Sequence, residues 1–223
     1  MVSPLFVYVP VPNVIRAPNN PFTPIIITAN NVAFSPIIPT KFQGEGLEDF
    51  MEYLESHPLR YALSDIPDPF LPNHICEFYY TCTYDQNTRT LNGTIAAGTQ
   101  PVSISPTTVR NALRLPILQV YPDSPSEAQC KAILPRIGYN VELQGTRNGT
   151  QFVLHQCLLA GWKLLTGIIG KFLGHKTGSL DQLNLFELRI LRAMVADRIY
   201  DFAGLIFDHL VDTISGKTRP PYV

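Results

Sequence analysis

Proline decides more about this chain than any other residue. Twenty of the 223 residues are proline, and eight of these (Pro4, Pro10, Pro12, Pro18, Pro21, Pro24, Pro36 and Pro39) fall within the first 40 positions. Each fixes φ near about −65° and removes a backbone donor, so prolines this closely spaced leave no room for a helix or a central strand. Residues 1–40 therefore read as an extended arm. Its apolar triplets, such as Ile25-Ile26-Ile27, imply that part of the arm lies against a folded body rather than in solvent. The body begins near residue 41, and from there proline acts as punctuation. Pro58, Pro67 and Pro69 keep one stretch irregular, whereas Pro72 and Pro106 sit at helix starts, where the missing N–H would be unpaired anyway.

Between these marks the spacing of apolar residues predicts a mainly α fold with a small β-hairpin, an α+β domain behind a proline-rich arm. Leu47, Phe50, Met51 and Leu54 recur at helical intervals over 45–56, while Glu48, Asp49, Glu52 and Glu55 take the opposite face. A second helix runs from Pro72 through Ile75, Phe78, Tyr79 and Cys82. Alternation and an Asn-Gly step predict two short strands within 89–104. Ser105-Pro106 then opens a helix through Val109, Ala112 and Leu113, and Ser124-Pro125-Ser126-Glu127 repeats the device for a helix ending at Pro135. Beyond Phe152 the pattern is helical: one helix over 154–173, a turn over 174–178, and helices over 183–196 and 200–214. Phe186, Ile190, Leu191 and Met194 line one face, and Phe202, Leu205, Ile206, Leu210 and Ile214 another, which predicts an antiparallel pair.

Charge excludes some functions and leaves others open. The net charge of −1 gives no global attraction to a phosphate backbone. The two halves differ, however: residues 1–99 hold four basic and nine acidic residues, residues 100–223 thirteen basic and nine acidic. Such a split fits a basic nucleic-acid face, head-to-tail association of copies, or two ordinary solvated surfaces. The four cysteines form no C-x-x-C pair and read as reduced thiols. The opening MVSPLFVYVPVP lacks the basic start and unbroken apolar run of a secretory leader, so the expectation is an intracellular protein, nuclear or cytoplasmic, with Asn92 and Asn148 unglycosylated. The apolar stretch over 158–173 contains Lys163 and Lys171 and falls short of the ~20 residues that span a bilayer, so no membrane partner is expected.

No catalytic, cofactor-binding or metal-ligating set emerges. Asp181, Asp197, Asp201, Asp208 and Asp212 read as solvent faces and first-turn acids rather than as carboxylates converging on metal ions. The stretch from Gly170 to Thr177 looks superficially like a phosphate loop, but His175 separates the glycine from Lys176-Thr177 and no buried strand precedes it. Lys171, His175 and Lys176 cluster near a helix end, where they cap carbonyls or touch a nucleic-acid backbone. Two H-x-C pairs, His74/Cys76 and His155/Cys157, have residue types suited to zinc but spacing that points them apart on a helix. Phe78, Tyr79, Tyr80 and Tyr84 read as core aromatics with hydroxyls reaching the surface.

Three stretches carry a family likeness: Leu71-Pro-Asn-His-Ile-Cys-Glu-Phe-Tyr-Tyr80, Val102-Ser-Ile-Ser-Pro-Thr-Thr-Val-Arg-Asn-Ala-Leu-Arg-Leu-Pro116, and Gly161-Trp-Lys-Leu-Leu165 with the helices after it. Over about residues 42–223 the chain resembles the plant transposon protein domain, which occurs in repetitive plant reading frames, often beside retrotransposon fragments. The resemblance implies a proline followed by Glu-Phe-Tyr on a helix, then a strand and a helix ending in Leu-Pro. With the boundary that the prolines set, the chain divides into an arm, 1–40, and a domain, 41–223, and the resemblance implies a frame longer than one ending at Val223, as in a fragment or decayed copy. The family has no agreed activity to carry over. The leading expectation is a non-catalytic helical interaction or assembly module that self-associates, capsid-like by analogy. The alternative is a nucleic-acid-binding accessory using the basic C-terminal half, and the third is a nuclease or hydrolase.

Overall fold

The alternating and helical patterns of the sequence become a mostly helical protein with a small antiparallel sheet in the computed structural model, which describes residues 6–9, 29–32, 47–64, 71–141, 146–147, 150–174, 181–196 and 200–215. In the arm, β1 (Phe6–Val9) pairs antiparallel with β2 (Ala29–Val32). Helix α1 (Leu47–Ser56) then buries Leu54, and the Tyr53 hydroxyl donates to the Met194 carbonyl at 3.0 Å, fixing the helix to the C-terminal part of the domain. The short helix α2 (Arg60–Ser64) adds Leu63 to the same core.

Helix α3 (Pro72–Thr81) leads into β3 (Thr83–Asp85), β4 (Thr90–Ile95) and β5 (Gln100–Ile104), antiparallel in that order. Strand period places Leu91 opposite Tyr84 and Ile104, with Gly93 opposite Val102, all on one face, while Asn92 and Ser103 hydrogen-bond each other on the other. Gly93 is where α3 crosses: a Cβ there would lie 2.8 Å from the Phe78 ring and 3.0 Å from Cys82. Thr81 stitches helix to sheet, its hydroxyl accepting from the Thr94 amide at 2.9 Å. The β4–β5 turn holds Ala96 and Ala97 at φ 55° and 56°, a conformation that side chains resist. The Glu77 carboxylate of α3 accepts from the Ala97 and Gly98 amides, at 3.0 and 2.6 Å, and holds that turn in place.

Helix α4 (Pro106–Ala112) starts in the expected capping box, Ser105 with Thr108. Helix α5 (Glu127–Lys131) starts one device later than the sequence implied: Ser126, not Ser124, caps it, with Gln129 rather than Glu127 closing the box. A 3-10 turn follows at Leu134–Ile137 and ends on Gly138 at φ 68°. Strands β6 (Thr146–Arg147) and β7 (Thr150–Gln151) make a two-residue ladder.

The single helix expected over 154–173 is broken. His155–Cys157 is a 3-10 turn, α6 is Ala160–Ile168, and Ile169–Leu173 widens into a π-turn. The cause is tertiary: the chain at Val153–His155 runs alongside 181–183, with His155 N–H donating to the Asp181 carbonyl at 2.8 Å and Leu183 N–H to the Val153 carbonyl at 2.9 Å. The Asn140 N–H also donates to the Cys157 carbonyl at 2.8 Å, taking an acceptor that a continuous helix would have used. Helices α7 (Leu185–Val195) and α8 (Phe202–Ile214) follow the sequence expectation, and Phe186 at the start of α7 stacks on His209 late in α8, at 4.2 Å between centroids.

Two apolar clusters result. The larger joins α1, α2, α5, α6 and α7 with the start of α8, around Leu54, Leu165, Ile190 and Leu191. The smaller lies between the sheet and α8, around Phe78, Leu91, Phe207 and Val211, and Val109 of α4 packs against both. Among the described residues no helix is long and apolar enough to cross a membrane.

Candidate functional site

Most of the described residues marked out by the sequence have a local role. Lys171 is exposed in the π-turn, whereas His175 and Lys176 lie outside the described residues. The H-x-C pairs do not meet at a metal. Nε2–H of His155 donates to the Lys163 carbonyl at 2.7 Å, Cys76 and Cys157 are buried, and no group of three His, Cys, Asp or Glu side chains among the described residues converges to hold an ion. All four cysteines are free. The Cys157 thiol sits beside the Tyr139 hydroxyl, which accepts from the Leu154 amide; burial, aided by Cys157, pushes the phenol up to about 12.

The acidic residues are likewise committed. Both carboxylate oxygens of Asp208 accept from one nitrogen, Nη2, of Arg89 at 2.8 and 3.0 Å, on an open surface where such a pair contributes little. Asp201 caps α8, and Asp197 lies outside the described residues. Among the aromatics, Phe78 is buried and Tyr84 packs on Phe207, while Tyr79 and Tyr80 meet edge to face. The likeness-bearing stretches therefore read as architecture: Glu77 holds a turn, Phe78 packs on Gly93, Ser105 caps α4 and Arg110 pairs with Asp201.

The feature that stands out is one that periodicity missed, the segment 113–126 between α4 and α5. Helix α4 ends with Arg114 in the left-handed region at φ 51°, the Leu115 amide donating back to the Arg110 carbonyl at 2.9 Å and the Arg114 amide to Asn111 at 3.2 Å. Leu115 plugs into the core and Ser126 caps α5. The loop is braced along its length. Arg110 lies 4.4 Å from the Tyr121 ring centroid and donates to Asp201 Oδ1 at 2.7 Å; the same oxygen accepts from the Gly204 amide at 2.9 Å. The Tyr121 hydroxyl accepts from the Leu118 amide, and Arg189 Nε reaches the Pro125 carbonyl at 3.1 Å. The brace leaves Ile117 and Val120 pointing outward, 82% and 81% exposed. Their signal in the sequence was weak: three aliphatics without helical or strand period between Pro116 and Pro122.

Five of the thirteen basic residues in the C-terminal half have partners within the fold. Arg110, Arg189 and Arg192 all donate inward, Arg192 to the Gln129 carbonyl at 2.7 Å, Lys131 pairs with Glu127, and Arg114 lies over the Tyr61 ring at 4.0 Å.

His209 supplies a pH handle. Burial lowers its pKa, against the opposing pull of Asp212 and a hydrogen bond to the Gly174 backbone. The folded state thus prefers the neutral ring, and the unfolded chain binds the proton more readily, at about 6.5. This contribution to stability is complete above that value and is lost as pH falls through it. Thermal melts at pH 7.5 and 5.5 should show a loss on acidification that is smaller in His209→Gln; an identical loss in the variant would remove His209 from the account.

No family model, curated protein or solved structure matches this chain.

Proposed function

We propose that this chain is a non-catalytic interaction module encoded by a plant transposable element, which associates with further copies of itself through the loop between α4 and α5. The observation that carries the reading is the pair Ile117 and Val120, held out of the core on a loop that two arginine contacts, Arg110 over Tyr121 and Arg189 on the Pro125 carbonyl, tie to the body. An aliphatic side chain left in water forgoes about 1.5–3 kcal/mol of burial free energy, and a braced loop loses little conformational freedom when it docks. Two such side chains supply about 3–6 kcal/mol, less than association of two bodies typically costs, so the contact is weak and concentration-dependent unless other surfaces join it. Weak, repeated contacts suit an assembling structural protein, and the capsid-like comparison is an analogy of that kind. The plant-element origin rests on the resemblance in residues 71–80, 102–116 and 161–165 with the helices that follow. Free thiols at all four cysteines support a reducing, intracellular setting.

Nucleic-acid binding is the second reading, favoured by the exposed Lys171 and disfavoured by the inward use of Arg110, Arg189 and Arg192. Light scattering behind size exclusion, over a concentration series at low and moderate salt, separates the two. Mass that grows with concentration supports self-association. A constant monomer that binds DNA or RNA with a steep salt dependence replaces it with the second reading.

A further inference from the structure

Ser124 is a hydroxyl that α5 leaves over. Two Ser-Pro steps lie among the described residues, and the fold treats them differently. Ser105 is closed into the capping box of α4, whereas Ser124 is exposed on a stretch, 121–126, that is neither helix nor strand, because Ser126 caps α5 in its place. Two donors with spare capacity lie beside it. Arg189 uses Nε on the Pro125 carbonyl at 3.1 Å, and among the described residues its two Nη atoms make no hydrogen bond. The Tyr200 hydroxyl is the one buried side-chain polar atom among the described residues without a hydrogen-bond partner. Burial raises its pKa, and the Ser124 side chain and the Arg189 guanidinium, both close by, pull it back, so the three groups share one corner of the fold. An orphaned buried donor of this kind costs stability until something accepts from it.

We infer that Ser124 is a phosphorylation site whose phosphate is received by the Arg189 guanidinium and the Tyr200 hydroxyl. The site does not depend on self-association. The phosphoryl donor is a nucleoside triphosphate held by a proline-directed serine kinase. Ser124 Oγ bonds to the γ-phosphorus, the bond from that phosphorus to the bridging oxygen breaks, the nucleoside diphosphate leaves, and the hydroxyl proton passes to a base of the kinase. Pro125 is buried, so the kinase meets the segment when it lifts locally, which breaks the Arg189 bond and the Pro125 packing but no helix or strand. On its return the phosphate brings acceptor oxygens to a guanidinium and a phenol, charge-assisted bonds of the kind that order loops. The exposed Asp123 opposes this with like charge, while Glu127 is paired with Lys131, and Asp201, the other acid near Tyr200, with Arg110.

The full chain is incubated with magnesium-ATP and a proline-directed serine kinase, and the product is mapped by mass spectrometry. Phosphate at Ser124 is expected; a chain modified only at other positions overturns the site. The full chain with phosphoserine installed at position 124 is then titrated by phosphorus NMR beside a phosphopeptide of residues 119–129, which carries the same Asp123 and Glu127. A phosphoserine loses its second proton near about pH 6. The folded chain's phosphate is expected to be about tenfold more acidic than the peptide's, because a neighbouring cation favours the dianion. The difference should shrink in Arg189→Gln and in Tyr200→Phe, the latter keeping the ring and removing only the orphaned hydroxyl, so that a folded variant is in hand whatever Arg189→Gln does. A folded chain that titrates with the peptide or above it, or a difference that survives both substitutions, overturns the assignment of Arg189 and Tyr200 as the receiving groups.

Discussion

Asp201→Ala should lower the free energy of unfolding by about 3 kcal/mol, measured by urea denaturation. Breaking a buried ion pair by removing one partner costs about 3–5 kcal/mol, because the other charge stays behind without compensation. The Arg110 side chain, 9% exposed, meets that condition, while Asp201, at 21%, is partly hydrated and puts the effect at the lower end. The same carboxylate caps α8 through the Gly204 amide, a role worth about 1 kcal/mol by itself. Asp201→Asn, which can still accept from Gly204, should therefore be milder than Asp201→Ala. An Arg110→Ala, Asp201→Ala double-mutant cycle should return a clear coupling energy. A destabilisation below about 1 kcal/mol would mean the pair is solvated in solution, as exposed pairs are. The consequence reaches the candidate site, because Arg110 is also the cation over Tyr121, and releasing it should loosen the loop that displays Ile117 and Val120.

Phe207→Ala should cost about 3–5 kcal/mol, the range for removing a buried aromatic ring from a packed core. Phe207 is fully buried and joins α8 to the sheet: it packs with Phe78 and Leu91, its ring is 6.2 Å from that of Tyr84, and the Arg89 guanidinium lies 5.9 Å from its centroid. The loss should be local before it is global. Hydrogen exchange should accelerate at β4 and β5 amides, those of Leu91 and Ile104 among them, while α7, buried in the larger cluster around Ile190 and Leu191, keeps its protection. Uniform acceleration across both clusters would show that they unfold as one unit.

The helices were legible because their apolar residues repeat at a local interval. Leu47, Phe50, Met51 and Leu54 predicted α1, and Phe202 to Ile214 predicted α8, since burying one face of an isolated helix needs no knowledge of its partner. Legibility ended where distant residues decide. The third strand, Thr83–Asp85, is only three residues long, too short for alternation to register, and exists because Leu91 and its neighbours provide the ladder. Leu158 and Leu159 keep a helical apolar rhythm, yet both are extended, between a 3-10 turn whose start is tied to residues 181–183 and the first turn of α6. Ser124 and Ser126 both look like caps; only the second has Gln129 in place to reciprocate.

The candidate site was hidden for the same reason. Ile117 and Val120 carry no periodic signal, and their exposure follows from an arginine on α4 and a carboxylate 91 residues further on. Arg189 and Arg192 looked like part of a basic surface, but their guanidinium groups are spent on the carbonyls of Pro125 and Gln129. Net charge along a sequence cannot distinguish a guanidinium facing solvent from one facing a backbone oxygen.

The central claim, that a braced loop presents two aliphatic side chains to another copy, is tested most directly by sedimentation equilibrium of the Ile117→Ser/Val120→Ser chain beside the wild type at matched concentrations. The account predicts a wild-type mass that rises with concentration and a variant that stays at one chain with an unchanged melting temperature. A variant that associates as strongly as the wild type would contradict it and place the contact elsewhere on the surface.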